Sequence, residues 1–206
     1  MNILFWSGGK DAYLALHFYQ KEHPDKKVML LTTFNQLNNK VPHQNIDIHF
    51  IETQARQLGL DLTTVPLPPD CSNEQYLQTL QETFDNLEEP AETLIFGDWY
   101  LVDIRHWREE VFKEMGYQCC FPIWKKDIHE LLNVLLLKPV KVEISAVKEE
   151  YQSLIKVGEP FNQVFVNQID RLSDEIDPFG EQGEFHTKVT IQELKTPKEH
   201  IPKHLS

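Results

Sequence analysis

No stretch of this chain is apolar for more than a handful of residues, as in "VLLL" at 134–137. A membrane-spanning helix needs about 20 such residues in a row, so none is expected. The N-terminus has no basic region and only a short apolar start, so no secretory signal is expected. Cysteine is scarce: Cys71 stands alone and Cys119 is next to Cys120, three in 206 residues. None has C-x-x-C spacing, which argues against an iron–sulfur or persulfide sulfur-transfer enzyme. Adjacent thiols also make a poor disulfide and a poor chelate, so reduced, packing cysteines in the cytoplasm are expected. Basic residues are few as well, 20 Lys and Arg against 32 Asp and Glu, giving a net charge of −12. A broad nucleic-acid surface needs clustered cations. The balance argues against such a partner but leaves room for an anion in a local pocket.

What remains is ordinary for a globular protein, 41% hydrophobic and 25% charged. "NILFW" (2–6) has strand character, and Leu14, Ala15 and Phe18 follow at helical spacing. "KVMLLTTF" (27–34) reads as a second strand and "QLNNKVPH" (36–43) as a loop. A helix is expected over 46–59, with Asn45 as N-cap and Gly59 as the residue beyond its end. A third strand lies within 60–69, and Ser72 with Gln75 makes a capping box for a helix over 73–87. "TLIF" (93–96) is a fourth strand, "GDW" (97–99) leads into a helix closed at Gly116, and "YQCCFPI" (117–123) is a fifth strand. Alternating strands and helices predict an α/β fold with a parallel sheet covered on both faces. The pattern changes near residue 120, to a helix (127–136), a strand (140–147), a helix near 161–172 and the glycine-rich "DPFGEQGEFHT" (177–187).

"SGGKDA" (7–12) joins the first strand to the first helix. It is not G-x-x-x-x-G-K-[ST], because Asp11 occupies the Ser/Thr position. Its physics still favours an anion. Gly8 and Gly9 let the backbone approach a phosphate, first-turn N–H groups point outward, and Lys10 adds charge. Asp11 reads either as an acid favoured by the helix dipole or as a magnesium ligand.

The segment resembles the PP-loop, S-G-G-x-D-S, of ATP pyrophosphatases in the adenine nucleotide alpha-hydrolase superfamily. These cleave ATP between the α and β phosphates, transfer AMP to a substrate oxygen and release pyrophosphate. "HFIETQARQLGLDLTTVPLP" (49–68), "FGDWYLVDIRHWREEVFKEMG" (96–116), "PIWKKDIHELL" (122–132) and "DPFGEQGEFHT" resemble, in order, segments of the diphthine–ammonia ligase family. The resemblance covers nearly the whole chain. It implies a Rossmann-like, doubly wound HUP-type ATP domain at 1–120, a smaller α+β substrate domain at 121–196 and a tail at 197–206. Ala12 departs from the family, which usually has Ser there. A lost neutral hydrogen bond is worth about 0.5–1.5 kcal/mol and one to a charged oxygen about 1.5–3 kcal/mol, enough to weaken ATP binding or slow the chemistry.

The resemblance implies ATP contacts from Ser7, Gly8, Gly9, Lys10, Asp11 and Gly97, with magnesium held by Asp11 and Asp98. Asp98 also reads as a helix N-cap. The C-terminal signature implies that Glu181 or Glu184 handles ammonia, that His186 assists, and that Gly183 and Thr187 contact substrate; a solvated turn is the plain alternative. His43 lies in a region resembling the family's substrate-side loop. Trp99, Trp107 and Trp124 read as core or interface residues, and "IRHWREE" (104–110) as a solvated helix face.

The implied reaction is AMP-forming amide ligation. A substrate carboxylate is adenylated and ammonia displaces AMP, with Lys10, Asp98, Glu181, Glu184 and His186 as the catalytic candidates and ATP and Mg²⁺ required. Asn2 stands where an N-terminal cysteine glutaminase would carry Cys, so free ammonia is the expected nitrogen source. Diphthine on elongation factor 2 is the implied acceptor where that modification exists. No membrane partner is expected, and a homodimer is left open. The rivals are a non-catalytic adenine-nucleotide sensor, suggested by Ala12, and a PP-loop enzyme modifying tRNA.

Overall fold

A computed structural model of the chain describes residues 1–172 and 175–192. Five parallel strands form its centre: β1 (Asn2–Phe5), β2 (Val28–Asn35), β5 (Leu62–Leu67), β6 (Thr93–Ile95) and β7 (Gln118–Cys120). They run in the order β5-β2-β1-β6-β7, so β1 lies between β2 and β6. The order reverses at β1, where a doubly wound sheet opens a crevice at its carboxyl edge. Strand one therefore neighbours the fourth strand of the sequence pattern, as the superfamily resemblance implies.

Alternation along each strand sends side chains to two cores. Leu4, Leu30 and Ile95 join one cluster, whereas Ile3, Met29, Leu31, Leu94 and Phe96 join the other. Helices α1 (Lys10–Glu22) and α2 (Ile48–Leu58) cover the first face, through Leu14, Phe18 and Ile51 among others. Helices α3 (Asn73–Asp85) and α4 (Val102–Glu114) cover the second, through Leu80, Phe84 and Phe112. The chain is an α/β protein with a parallel-dominated, doubly wound sheet.

Beyond β7 come α5 (Ile128–Leu137), β8 (Val140–Val147), α6 (Gln163–Leu172) and β9 (Phe185–Ile191). β8 and β9 pair antiparallel in a separate two-stranded sheet, with an irregularity between Ile144 and Ala146. Their apolar face continues the first cluster: Val142, Phe185 and Val189, with Phe165 of α6, share it with Leu4 and Leu14. The tail expected at 197–206 lies outside the described residues, as do 193–196 of the segment before it.

Two local readings change. Residues 36–43 are not all loop and 46–47 are not helix, because β3 (Lys40–Val41) and β4 (Ile46–Asp47) form a small antiparallel hairpin on the edge of β2. That hairpin moves the start of α2. Asp47 is its N-cap, accepting from His49 N–H at 2.9 Å, and Asn45 sits in the turn at φ +55°. Gly59 ends α2 in the left-handed conformation, and the Ser72–Gln75 capping box forms as expected.

Candidate active site

A cleft of about 620 Å³ opens across the carboxyl ends of β5, β2, β1 and β6. This is the size of small-molecule sites generally. Its floor includes Ser7, Asp11 and Ala12 from the β1–α1 loop and Gly97 and Asp98 after β6. Gly97 is where the two loops touch: a Cβ there would stand 2.8 Å from Asp11 backbone atoms. Only glycine permits that approach.

The loop itself is clamped from below. Gly8 has φ +78°, and its carbonyl accepts from Val189 N–H at 2.9 Å and from Gln54 Nε2 at 3.0 Å. Gln54 is buried and also holds the Trp6 indole N–H at 2.9 Å. Lys10 N–H donates to Thr187 Oγ1 at 3.0 Å. The first-turn N–H groups have no intrahelical partner. With Lys10 committed, those of Asp11 and Ala12 remain, and both residues line the cleft.

Lys10 does not. Its side chain is buried, and its ammonium lies 2.8 and 2.9 Å from the two Asp11 carboxylate oxygens and 4.2 Å from the Phe179 ring centroid. A second ring, Phe161, is 5.5 Å away. Expected as a mobile charge on phosphate, Lys10 instead orients Asp11 from beneath.

The C-terminal turn reaches the same cleft. Asp177 organises it: Phe179 N–H donates to Asp177 Oδ1 at 2.7 Å and Gly180 N–H to its carbonyl at 2.9 Å. Gly180, Glu181, Gly183 and His186 line the cavity. Glu181 Oε1 accepts from Trp99 N–H at 3.2 Å and Tyr100 N–H at 2.8 Å, tying the turn to the β6–α4 loop. Burial, helped by the nearby Asp11 charge, pushes the Glu181 carboxyl up to about 7. Burial, with His43, Lys10 and Lys148 adding to it, pushes His186 down to about 4, so its imidazole is neutral at neutral pH. His43, at φ +65° in the β3–β4 turn, also lines the cleft with its ring 5.8 Å from that of His186.

Glu184 and Thr187 are not on the cleft wall. Glu184 is buried, and its Oε1 accepts from Asp177 N–H at 2.9 Å, bracing the turn from inside. The alternation of β9 explains Thr187: His186 faces the cleft, while Phe185 and Thr187 are buried, and Glu184 precedes the strand.

Asp98 caps no helix. The N-cap of α4 is Leu101, and the Asp98 carboxylate faces Arg108 at 2.8 Å. Arg108 Nε and Asp98 Oδ2 have no aligned hydrogen-bond partner, so the contact is an ion pair without a directed bond. Burial outweighs Arg108 and raises the Asp98 carboxyl above its ordinary value. Asp11 and Asp98 are thus each engaged by a cation of the chain itself. Among the described residues no three His, Cys, Asp or Glu side chains converge as a metal site. Asp11 and Asp98 both line the cleft floor, and one or two carboxylates would suffice to hold magnesium carried on phosphates.

The family model of the diphthamide synthase N-terminal domain matches residues 1–119. The chain belongs to that family. No curated protein matches it significantly. Among solved structures it is similar to a predicted subunit of tRNA methyltransferase from Methanocaldococcus jannaschii, at 14% identity and a TM-score of 0.47 over 95% of this chain and 100% of that one. It is also similar to the U34-tRNA thiolase of Methanococcus maripaludis, at 14% identity and a TM-score of 0.40 over 66% of this chain and 56% of that one. Among the described residues no helix is long and apolar enough to cross a membrane.

The matched segment supplies the loop, Gly97, Asp98 and one residue the sequence reading passed over. "IRHWREE" is not simply a solvated face. Arg105 pairs with Glu109 at 2.8 Å and lies over Phe121 and Trp124, whereas Arg108 lines the cleft and lies 4.3 Å over the Phe96 ring. A signal was available. Arg105 and His106 each have an acid four residues on, Glu109 and Glu110, while Arg108 is followed there by Phe112. A helix cation without an i,i+4 partner has to find its acid elsewhere.

Proposed function

We propose that the protein is an ATP-dependent, AMP-forming amide ligase that adenylates a carboxylate and transfers ammonia to it. The reading is carried by one observation: the SGGKDA loop and the C-terminal turn, about 170 residues apart in sequence, open onto one cleft at the switch point of the sheet. The phosphates of ATP would meet Asp11 and Ala12 N–H at the positive end of α1. The acceptor carboxylate oxygen attacks the α-phosphorus, the bond to the bridging oxygen breaks, and pyrophosphate leaves. Ammonia then attacks the acyl carbon of the adenylate, the carbon–oxygen bond breaks and AMP departs. The nitrogen must lose a proton in this step. Glu181, poised near 7, is matched to take it at neutral pH, and neutral His186 offers a hydrogen bond without repelling an ammonium ion. Glu184, expected to share this work, braces the turn instead. Diphthine is one acceptor within this class.

The test is pyrophosphate exchange. Protein, ATP and magnesium are incubated with labelled pyrophosphate and an acceptor source, either a deproteinised small-molecule extract or elongation factor 2 carrying diphthine. Label should enter ATP only with an acceptor source present, and adding ammonium should convert the exchange into net AMP release. Formation of ADP, or AMP release indifferent to ammonium, overturns the reading. A second reading, nucleotide binding without turnover, is favoured by Ala12 and by the burial of Lys10. It predicts ATP binding with no exchange.

A further inference from the structure

The cleft wall is short of positive charge. Asp11, Asp98 and Glu181 contribute carboxylates, and the histidines are His43 and His186. Among the described residues lining it, Arg108 is the only Lys or Arg. An acid entering such a site meets repulsion unless one fixed cation receives it.

Arg108 is built for that task. Its side chain is 22% exposed, so it is partly desolvated yet reachable. Phe96 supports one guanidinium face at 4.3 Å. Asp98 lies 2.8 Å from the Nε edge, and the fork has five N–H donors to share between Asp98, the Tyr76 phenol and an incoming acid. The Tyr76 phenol, also on the cleft wall, is in electrostatic contact with it. The backbone is anchored too, since Cys119 Sγ donates to the Arg108 carbonyl at 3.6 Å. A planar fork held this way suits a carboxylate. The phosphates have separate donors in the first turn of α1. Beside Asp98, the neighbours of Arg108 are aromatic, Phe96 and Tyr76, and Trp107 and Leu67 line the same cleft.

We propose that Arg108 selects the acceptor, its guanidinium holding the acid group of an apolar-bodied carboxylate against Phe96, Trp107 and Tyr76. Asp98 is then the positioning residue that fixes the fork. This rests on the ligase reading for its choice of a carboxylate, but its test uses no turnover.

Isothermal titration without nucleotide compares 3-phenylpropionate with its amide, 3-phenylpropionamide. The wild-type protein should bind the acid at least tenfold more tightly than the amide, and Arg108→Gln should bind both alike. Arg108→Gln leaves Asp98 without its cation, so the double variant Arg108→Gln/Asp98→Asn, a neutral pair of similar shape, is measured beside it. Arg108→Lys should retain part of the preference, having charge without the fork. Titration of Arg108→Gln and Arg108→Lys with ATP should give affinities within twofold of wild type. The proposal is overturned if the wild type shows no preference for the acid or binds neither probe. It is equally overturned if the preference survives in the double variant, or if ATP affinity falls with it, which would make Arg108 a nucleotide contact. Failure of pyrophosphate exchange alongside a positive titration would sink the ligase reading and leave the acid site standing.

Discussion

The loop at 7–12 and the turn at 177–187 solve the same problem in mirrored ways. Each sets charged side chains beside glycines, and each sends one to the cleft and another into its own interior. In the loop Asp11 faces out and Lys10 turns under, against Phe179. In the turn Glu181 faces out and Glu184 turns under, against Asp177 N–H. The inward member fixes the backbone that presents the outward one. Residue type within a motif therefore does not say which charge meets the ligand; the direction of the chain at that position does.

The largest effects should come from the glycines. At Gly8 a side chain meets a positive φ and also Ile51 and Gln54, at 2.6 and 2.9 Å from a built Cβ. Gly183 has a positive φ of 75°, but nothing lies closer than 3.8 Å. Gly8→Ala should therefore cost about 3 kcal/mol, combining backbone strain and overpacking. Gly183→Ala should cost only the strain, about 1–2 kcal/mol. Urea unfolding of both checks this, and equal losses would mean the loop is less tightly clamped than the turn.

The next test exchanges the paired acids for amides. Gln at 181 can still accept from Trp99 and Tyr100 N–H, and Gln at 184 can still accept from Asp177 N–H. Only the ability to carry a proton is lost. Glu181→Gln should slow ammonium-dependent AMP release at least tenfold, about 1.4 kcal/mol, and Glu184→Gln should change it less than about twofold. The reverse ranking would restore Glu184 to the reacting centre.

Acid stability gives a subtler contrast within the turn. Glu181 rises from 4.5 to about 7 on folding, so the folded chain keeps a proton there that the unfolded chain has lost. Stability from this group falls as pH rises from 4.5 to 7. His186 drops from 6.5 to about 4, so its contribution rises over nearly the same interval. The two slopes oppose each other. Relative to wild type, Glu181→Gln should show a melting temperature that climbs from pH 4.5 to 6.5, and His186→Gln one that declines.

The smallest effect concerns Ala12. Ala12→Ser offers one more donor on the cleft side of α1, worth about 0.5–1.5 kcal/mol. ATP should bind a few-fold more tightly by titration. An unchanged affinity would mean that Asp11 and Ala12 N–H already satisfy the phosphates.

Most of the sheet could be read from the chain, because buried parallel strands are short apolar runs set between amphipathic helices. The β3–β4 hairpin could not, since two-residue strands of "KV" and "ID" carry no periodicity. Within the site, glycine spacing located the loop and turn, but their inward and outward residues depend on β9 packing beneath the loop. Arg108 was legible only by its missing helical partner. Trp107, expected in the core or an interface, lines the cleft for a similar reason: a helix beside a crevice has a third kind of face, neither core nor solvent.

The clamp from β9 also bears on how the protein is made. Gly8 and Lys10 leave the ribosome early, yet their partners Val189 and Thr187 follow only after nearly 180 further residues. During synthesis the loop can form as a turn but cannot be locked, and contacts this distant in sequence are slow to close. A nascent chain that already carries the whole α/β sheet would lack a rigid 7–12 loop until β9 arrives, so under the proposed function ATP binding should await the complete chain.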